Sequence, residues 1–169
     1  MHREPVTLAS LLIVALAAPV LAQNPRGKAE TSLSGKKVSV EYGQPSLRGR
    51  DLLAQAPVGT VWRTGADKST TLTTDADLTI GSTTIPKGSY SLFTKRTGDK
   101  AWSLVVNKQT GQWGTEHDAK QDLASVPLTW EQKDSGPELF TIELASSGTS
   151  GTLRLLWGKH VLTTPFNAK

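Results

Sequence analysis

The sequence predicts an all-β domain: an antiparallel β-sandwich, jelly-roll or Ig-like in general architecture, with at most one or two short helices. Three observations carry this. Apolar and polar residues alternate with a period of two over many short runs. Gly and Pro, 15 and 9 in number, punctuate those runs about every 8–12 residues, the spacing of sandwiches and barrels. No apolar pattern of period 3.6 runs longer than about two turns.

The chain opens "MHREPVTLASLLIVALAAPVLAQNP". A short start carrying Arg3 precedes an apolar run from Val6 to about Val20, and Val20-Leu21-Ala22 offers small residues at the positions a signal peptidase requires. Residues 1–22 therefore read as a cleaved secretory signal peptide. The run is shorter than the roughly 20 residues a membrane span needs, and a lipoprotein signal would need a Cys. Residues 23–169 read as one domain, with no membrane span after cleavage, in the periplasm or secreted. The chain has no Cys, which excludes disulfides, thiolate metal sites and Cys nucleophiles and favours a bacterial over an animal secreted protein. The net charge of +4 is mild and spread along the chain, so a nucleic-acid partner is not expected.

The elements follow in order. Residues 23–28, "QNPRGK", read as a loose leader. In "KKVSVEYG", Val38, Val40 and Tyr42 share one face. "RGRDLLAQA", residues 48–56, is the first helix candidate. Leu78 and Ile80 pair with Thr83 and Ile85 across Gly81-Ser82, a two-residue hairpin loop. Pro86-Lys87-Gly88 makes a second turn. Tyr90, Leu92 and Thr94 then alternate with Ser91, Phe93 and Lys95, and Trp102, Leu104 and Val106 form the next inward face. "EHDAKQDLASV", residues 116–126, is the second helix candidate. Leu128 with Trp130, then Phe140, Ile142 and Leu144, then Leu153, Leu155 and Trp157 give three further inward faces, and Val161 lies in a last strand.

Two stretches could carry chemistry. In "VWRTGADKSTT", Trp62 and Arg63 face opposite ways in extended chain. Trp62 is assigned to the core. Arg63, beside Gly65, Asp67 and Lys68, is either a cation for a carboxylate or phosphate or the partner of Asp67 across its own turn; hydrogen bonds or such an ion pair would hold the turn. In "NKQTGQWGTEHDAKQD", Trp113 offers a flat platform for a sugar ring. Glu116, His117 and Asp118 follow it within a few residues, with Asp122 further on. A His among acids can move a proton or bind a metal, but no second His completes a metal triad, so no metal or cofactor is expected. The plainer reading makes Glu116 and Asp118 the acidic start of a short helix. His160, in the Gly158-Lys159 turn, reads as an exposed turn residue. Asp75 and Asp77 lie on one strand face about 7 Å apart and read as an exposed pair. No G-x-S-x-G elbow or phosphate loop is present.

These runs resemble the exported bacterial family catalogued as domain of unknown function 2911. The resemblance rests on Trp62 to Asp67, a W-R-T-G-A-[ND] run, and on the hairpin region Thr79 to Phe93. It continues in Trp102 to Lys108, a W-x(3)-[VI]-x-N-K run, in Trp113-Gly114, in Tyr42, Pro45, Gly49 and Arg50, and in the closing strands. It implies an exported, mostly β domain and no defined activity. Two departures stand out. Asp67-Lys68 occupies places where the family usually has Asn then Glu, and Glu116-His117-Asp118 follows Trp113-Gly114 where a Tyr and an Asp are usual.

Three functions fit the residues. The first is a binding module for a small polar ligand, glycan or cell-wall fragment, using Arg63, Asp67, Lys68, Trp113, Glu116, His117 and Asp118. The second is a hydrolase-type enzyme built on His117 and nearby carboxylates. The third is a structural or partner-binding envelope domain, for which outward apolar residues such as Val105 or Phe93 would speak. A joint site requires the two stretches to converge.

Overall fold

The structure is a computed structural model and describes residues 23–169, so the signal-peptide reading of residues 1–22 lies outside the described residues. The elements are β1 (Arg26–Leu33), β2 (Lys36–Gly43), α1 (Leu52–Gln55), β3 (Val61–Trp62), β4 (Thr70–Thr74), β5 (Leu78–Ile80), β6 (Thr83–Ile85), β7 (Gly88–Arg96), β8 (Trp102–Asn107), a 3-10 turn (Ala119–Gln121), β9 (Asp122–Gln132), β10 (Thr141–Ser147), β11 (Ser150–Trp157) and β12 (His160–Ala168). The chain is all-β with one α-turn and one 3-10 turn, as the periodicity predicts. The β5–β6 hairpin has the expected register, Ile80 opposite Thr83 and Leu78 opposite Ile85.

All strand pairs are antiparallel, and the strands form one sheet whose main path runs β1-β2-β4-β7-β8-β9-β12-β11-β10, with β3 beside β7 and the β5–β6 hairpin joined through β5 to β12. Strand β9 carries the sheet around a corner: Asp122–Leu128 pairs with β8, and Thr129–Gln132 pairs with β12. The two ends then meet. Thr31 Oγ1 donates to Ser146 Oγ at 2.7 Å, and Ser34 N–H donates to Gly148 O at 3.2 Å. The two inner faces expected of a sandwich thus belong to one sheet nearly closed into a barrel.

Alternation fills the interior. Val38, Val40, Leu92, Leu104, Val106, Leu155 and Leu162 are all at most 1% exposed, and burying each such side chain stabilises the fold by roughly 1.5–3 kcal/mol. The barrel centre keeps a void of only about 20 Å³, too small for a ligand. At one end the core becomes aromatic. Trp62 stacks on Trp157 at 5.2 Å with planes 9° apart, and both meet Phe140 edge-on, at 4.9 and 5.9 Å. Trp62 is thus a core residue, partly buried.

Three expectations need correction. Residues 23–28 are not a loose leader: β1 begins at Arg26, Gln44 N–H donates to Pro25 O at 2.8 Å, and Asn24 N–H donates to Asp67 Oδ2 at 2.9 Å. Phe93 and Val105, on the face opposite Leu92, Leu104 and Val106, are not exposed: they are 1% and 3% accessible. The excursion between β8 and β9 folds back over that face, with the His117 ring 4.6 Å from the Phe93 ring. Finally, residues 116–126 make a single 3-10 turn and then enter β9. Among the described residues no helix is long and apolar enough to cross a membrane.

Candidate functional site

The two stretches singled out from sequence converge. Lys68 and Trp113 form an antiparallel bridge. Gly114 N–H donates to Asp67 O at 2.8 Å, and Ser69 N–H donates to Gln112 O at 3.0 Å. Their fit is close: a Cβ on Gly114 would stand 2.8 Å from Arg63 Cδ and 2.9 Å from Asp67 O.

The turn itself is pinned by backbone and hydroxyls. Thr64, fully buried, holds φ 51°. Its carbonyl accepts from Thr70 Oγ1 at 2.6 Å, and its own hydroxyl reaches Thr94 Oγ1 at 3.3 Å. Gly65 sits at φ 149° against the Gly43 backbone, and a Cβ on Gly43 would stand 2.1 Å from Ala66 O. The Arg63–Asp67 ion pair is not formed. Asp67 Oδ2 accepts instead from the backbone and side-chain amides of Asn24, at 2.9 and 3.3 Å. The Arg63 guanidinium makes no ion pair or hydrogen bond among the described residues. Beside it Trp113 is 42% exposed, and Lys68 is exposed.

The acidic trio is dispersed. His117 Nε2 lies 2.8 Å from Asp122 Oδ1. A carboxylate only accepts, so the ring proton sits on Nε2. Asp118 is the cap of the 3-10 turn, its Oδ1 accepting from Lys120 N–H at 3.0 Å. Glu116 is exposed and makes no side-chain hydrogen bond among the described residues. Asn107, fully buried, organises the excursion: its amide donates to Asp118 O at 2.9 Å and to Asp122 Oδ1 at 2.8 Å, and its carbonyl accepts from Gln109 N–H at 2.9 Å. This explains the Asn of the Trp102–Lys108 run. Among the described residues no group of three His, Asp or Glu side chains could hold a metal ion.

The sequence reading missed a second polar centre at the aromatic end of the barrel. His160 is 5% exposed, which corrects its reading as an exposed turn residue. Trp130 Nε1–H donates to His160 Nδ1 at 3.1 Å, so the ring proton sits on Nε2, 2.7 Å from Asp51 Oδ1. Asp51 also caps α1, accepting from Ala54 N–H at 3.1 Å through the same oxygen. The signal for His160 was present. Gly158-Lys159 is a two-residue hairpin turn, and residues flanking such a turn are cross-strand partners with side chains on one face. Trp157 pairs with His160, and Trp157 already reads as inward. Two clefts, about 330 and 210 Å³, open on either side of the Asp51–His160 pair. They include none of the seven residues singled out from sequence.

The molecule is thus an antiparallel β-barrel-like domain with a cationic, Trp-bearing corner and a separate cleft-flanked mouth. A family model described as "Protein of unknown function (DUF2911)" matches residues 24–166, and the chain belongs to that family. No curated protein and no solved structure matches it.

Proposed function

We propose that this is an exported bacterial binding module whose corner at Arg63, Lys68 and Trp113 takes an acidic glycan or cell-wall fragment. The observation that supports this best is Arg63. Its guanidinium makes no ion pair or hydrogen bond among the described residues, and Asp67 meets Asn24 instead. Guanidinium forks match carboxylates bidentately, and the neighbouring exposed Trp113 suits the apolar face of a sugar ring. The corner is open surface rather than a deep pocket, which suits a chain of sugars more than a single small molecule. Export rests on the signal-like residues 1–22 and is tested by the N-terminus of protein recovered from the producing cells, expected at Gln23.

The binding test is thermal unfolding with soluble peptidoglycan fragments, which carry free carboxylates, against neutral chitooligosaccharides. Ligands that bind only the folded form raise Tm. The acidic fragments are expected to raise Tm and quench Trp113, and Arg63→Ala, still folded, to lose the response. Equal shifts in wild type and Arg63→Ala would remove the reading. A hydrolase reading draws on the 2.8 Å contact of His117 with Asp122. Its test is release of reducing ends from the same fragments, lost in His117→Asn.

A further inference from the structure

We propose a second binding site, in the barrel mouth beneath α1, for a small flat aromatic molecule bearing a short hydrogen-bond-donating arm such as an ammonium. It is independent of the Arg63 corner. The mouth holds two adjoining compartments of opposite character. One, about 200 Å³, is apolar and lined chiefly by Leu52, Leu53, Trp62, Trp102 and Trp157. The other is the 210 Å³ cleft that includes Asp51, Arg96, Trp130 and His160. Leu53 and Trp102 are common to both. Together they reach the lower end of the usual range for small-molecule sites, about 300–1,000 Å³. The central void of about 20 Å³ leaves no room for such a ligand inside the barrel itself.

The lid over these compartments is held by polar contacts. A helix of four residues does not stand alone, and α1 buries only Leu53 fully. Leu52 and the flanking Ala56 pack on the core only in part, and two charged side chains supply the polar anchorage. Arg96 Nη1 donates to Ala54 O at 2.9 Å and to Ala56 O, and Asp51 Oδ1 takes the Ala54 N–H and the His160 N–H. Arg96 spends its other donors on Gly98 O and Asp99, at 3.1 Å for the former and 2.7 Å for Asp99 O. Lys100 lies over the Trp130 ring, 5.4 Å from its centroid. Within this cleft the cations are engaged, whereas Asp51 is not exhausted. Both of its donors sit on Oδ1, leaving Oδ2 without a partner among the described residues on a side chain 46% exposed. An apolar slot walled by indole rings thus adjoins a carboxylate oxygen with room for a donor. That pair recognises an aromatic ring with a donor arm.

The test uses the chain from Gln23, labelled with ¹⁵N, titrated with tryptamine (ring and ammonium arm) and with 3-methylindole (ring alone). The five Trp residues give five indole N–H signals, assigned by Trp→Phe variants. Tryptamine is expected to shift the Trp62, Trp102 and Trp157 signals and leave Trp113 unmoved. Asp51→Asn puts an N–H₂ donor where the free acceptor was, while still able to cap α1. It is expected to weaken tryptamine about tenfold, equivalent to about 1.4 kcal/mol, and to leave 3-methylindole within about twofold. Ala56→Trp, which fills the apolar compartment, is expected to abolish both. Signal dispersion in the same spectra reports folding of each variant. Shifts confined to Trp113, shifts of all five signals alike, or no shift with either probe would overturn the site. Equal loss of both probes in a folded Asp51→Asn would overturn the role of the carboxylate.

Discussion

The molecule contains two His–Asp pairs of nearly equal length, 2.8 Å at His117–Asp122 and 2.7 Å at His160–Asp51, and they do different work. His117 and Asp122 are five residues apart on one excursion, whereas His160 and Asp51 are 109 apart. The first pair fastens a surface segment over Phe93, with the His side chain 18% exposed and its Nδ1 without a partner among the described residues. In the second, both ring nitrogens are committed, one to Trp130 and one to Asp51, and the ring is buried at the aromatic end of the core. A short His–Asp distance alone therefore says little. Burial and the fate of the second nitrogen decide whether the pair is a surface clasp or part of the core.

Three measurements can break or sharpen that contrast. The largest effect is expected from His160→Ala. It removes the acceptor of a partly buried indole N–H, strips the donor from Asp51 and leaves a cavity, with an expected loss of about 2–4 kcal/mol in urea unfolding. His117→Ala should cost about 1 kcal/mol, because the ring lies at the surface, where water can replace its hydrogen bond to Asp122. If the two losses were equal, the distinction between clasp and core would fail.

The smallest effect is a pH dependence beside the mouth. Glu138 is held below the usual 4.5 by the Ser46 hydroxyl first and the Arg48 backbone N–H second, with Oε1 at 2.5 and 2.7 Å from them. A carboxyl depressed in the folded state stabilises above its unfolded value and loses that contribution as pH falls through its folded value. Wild type should therefore lose more stability than Glu138→Gln as pH drops from about 5 to about 3. Parallel urea midpoints over that range would show that the Ser46–Arg48 loop is not fastened by this charge.

Much of the architecture was legible in the residues. Val38, Val40 and Tyr42 announce a one-sided strand, and Gly81-Ser82 a two-residue hairpin, because pleat and turn geometry are local properties. The pinning of "WRTGAD" was legible in part. The sequence suggested Arg63–Asp67 because neighbours in a turn are the nearest available charges, but Asp67 meets Asn24, from the segment just ahead of β1, instead. The burial of Phe93 and Val105 was hidden for a related reason: the segment that covers them is polar and irregular, and nothing in its periodicity says where it folds back.

By itself, the sequence determined strand content, most inward faces, the tight turns and the family, since these depend on residues within a few positions of one another. Only the tertiary structure decided that the sheet curls until β1 meets β10, that the two singled-out loops join, that Asp67 meets Asn24 rather than Arg63, and that Asp51 meets His160 beside α1. Each of those is a contact between residues far apart in the chain. Such contacts follow from how a twisted sheet closes on its core, which no local pattern of side chains specifies.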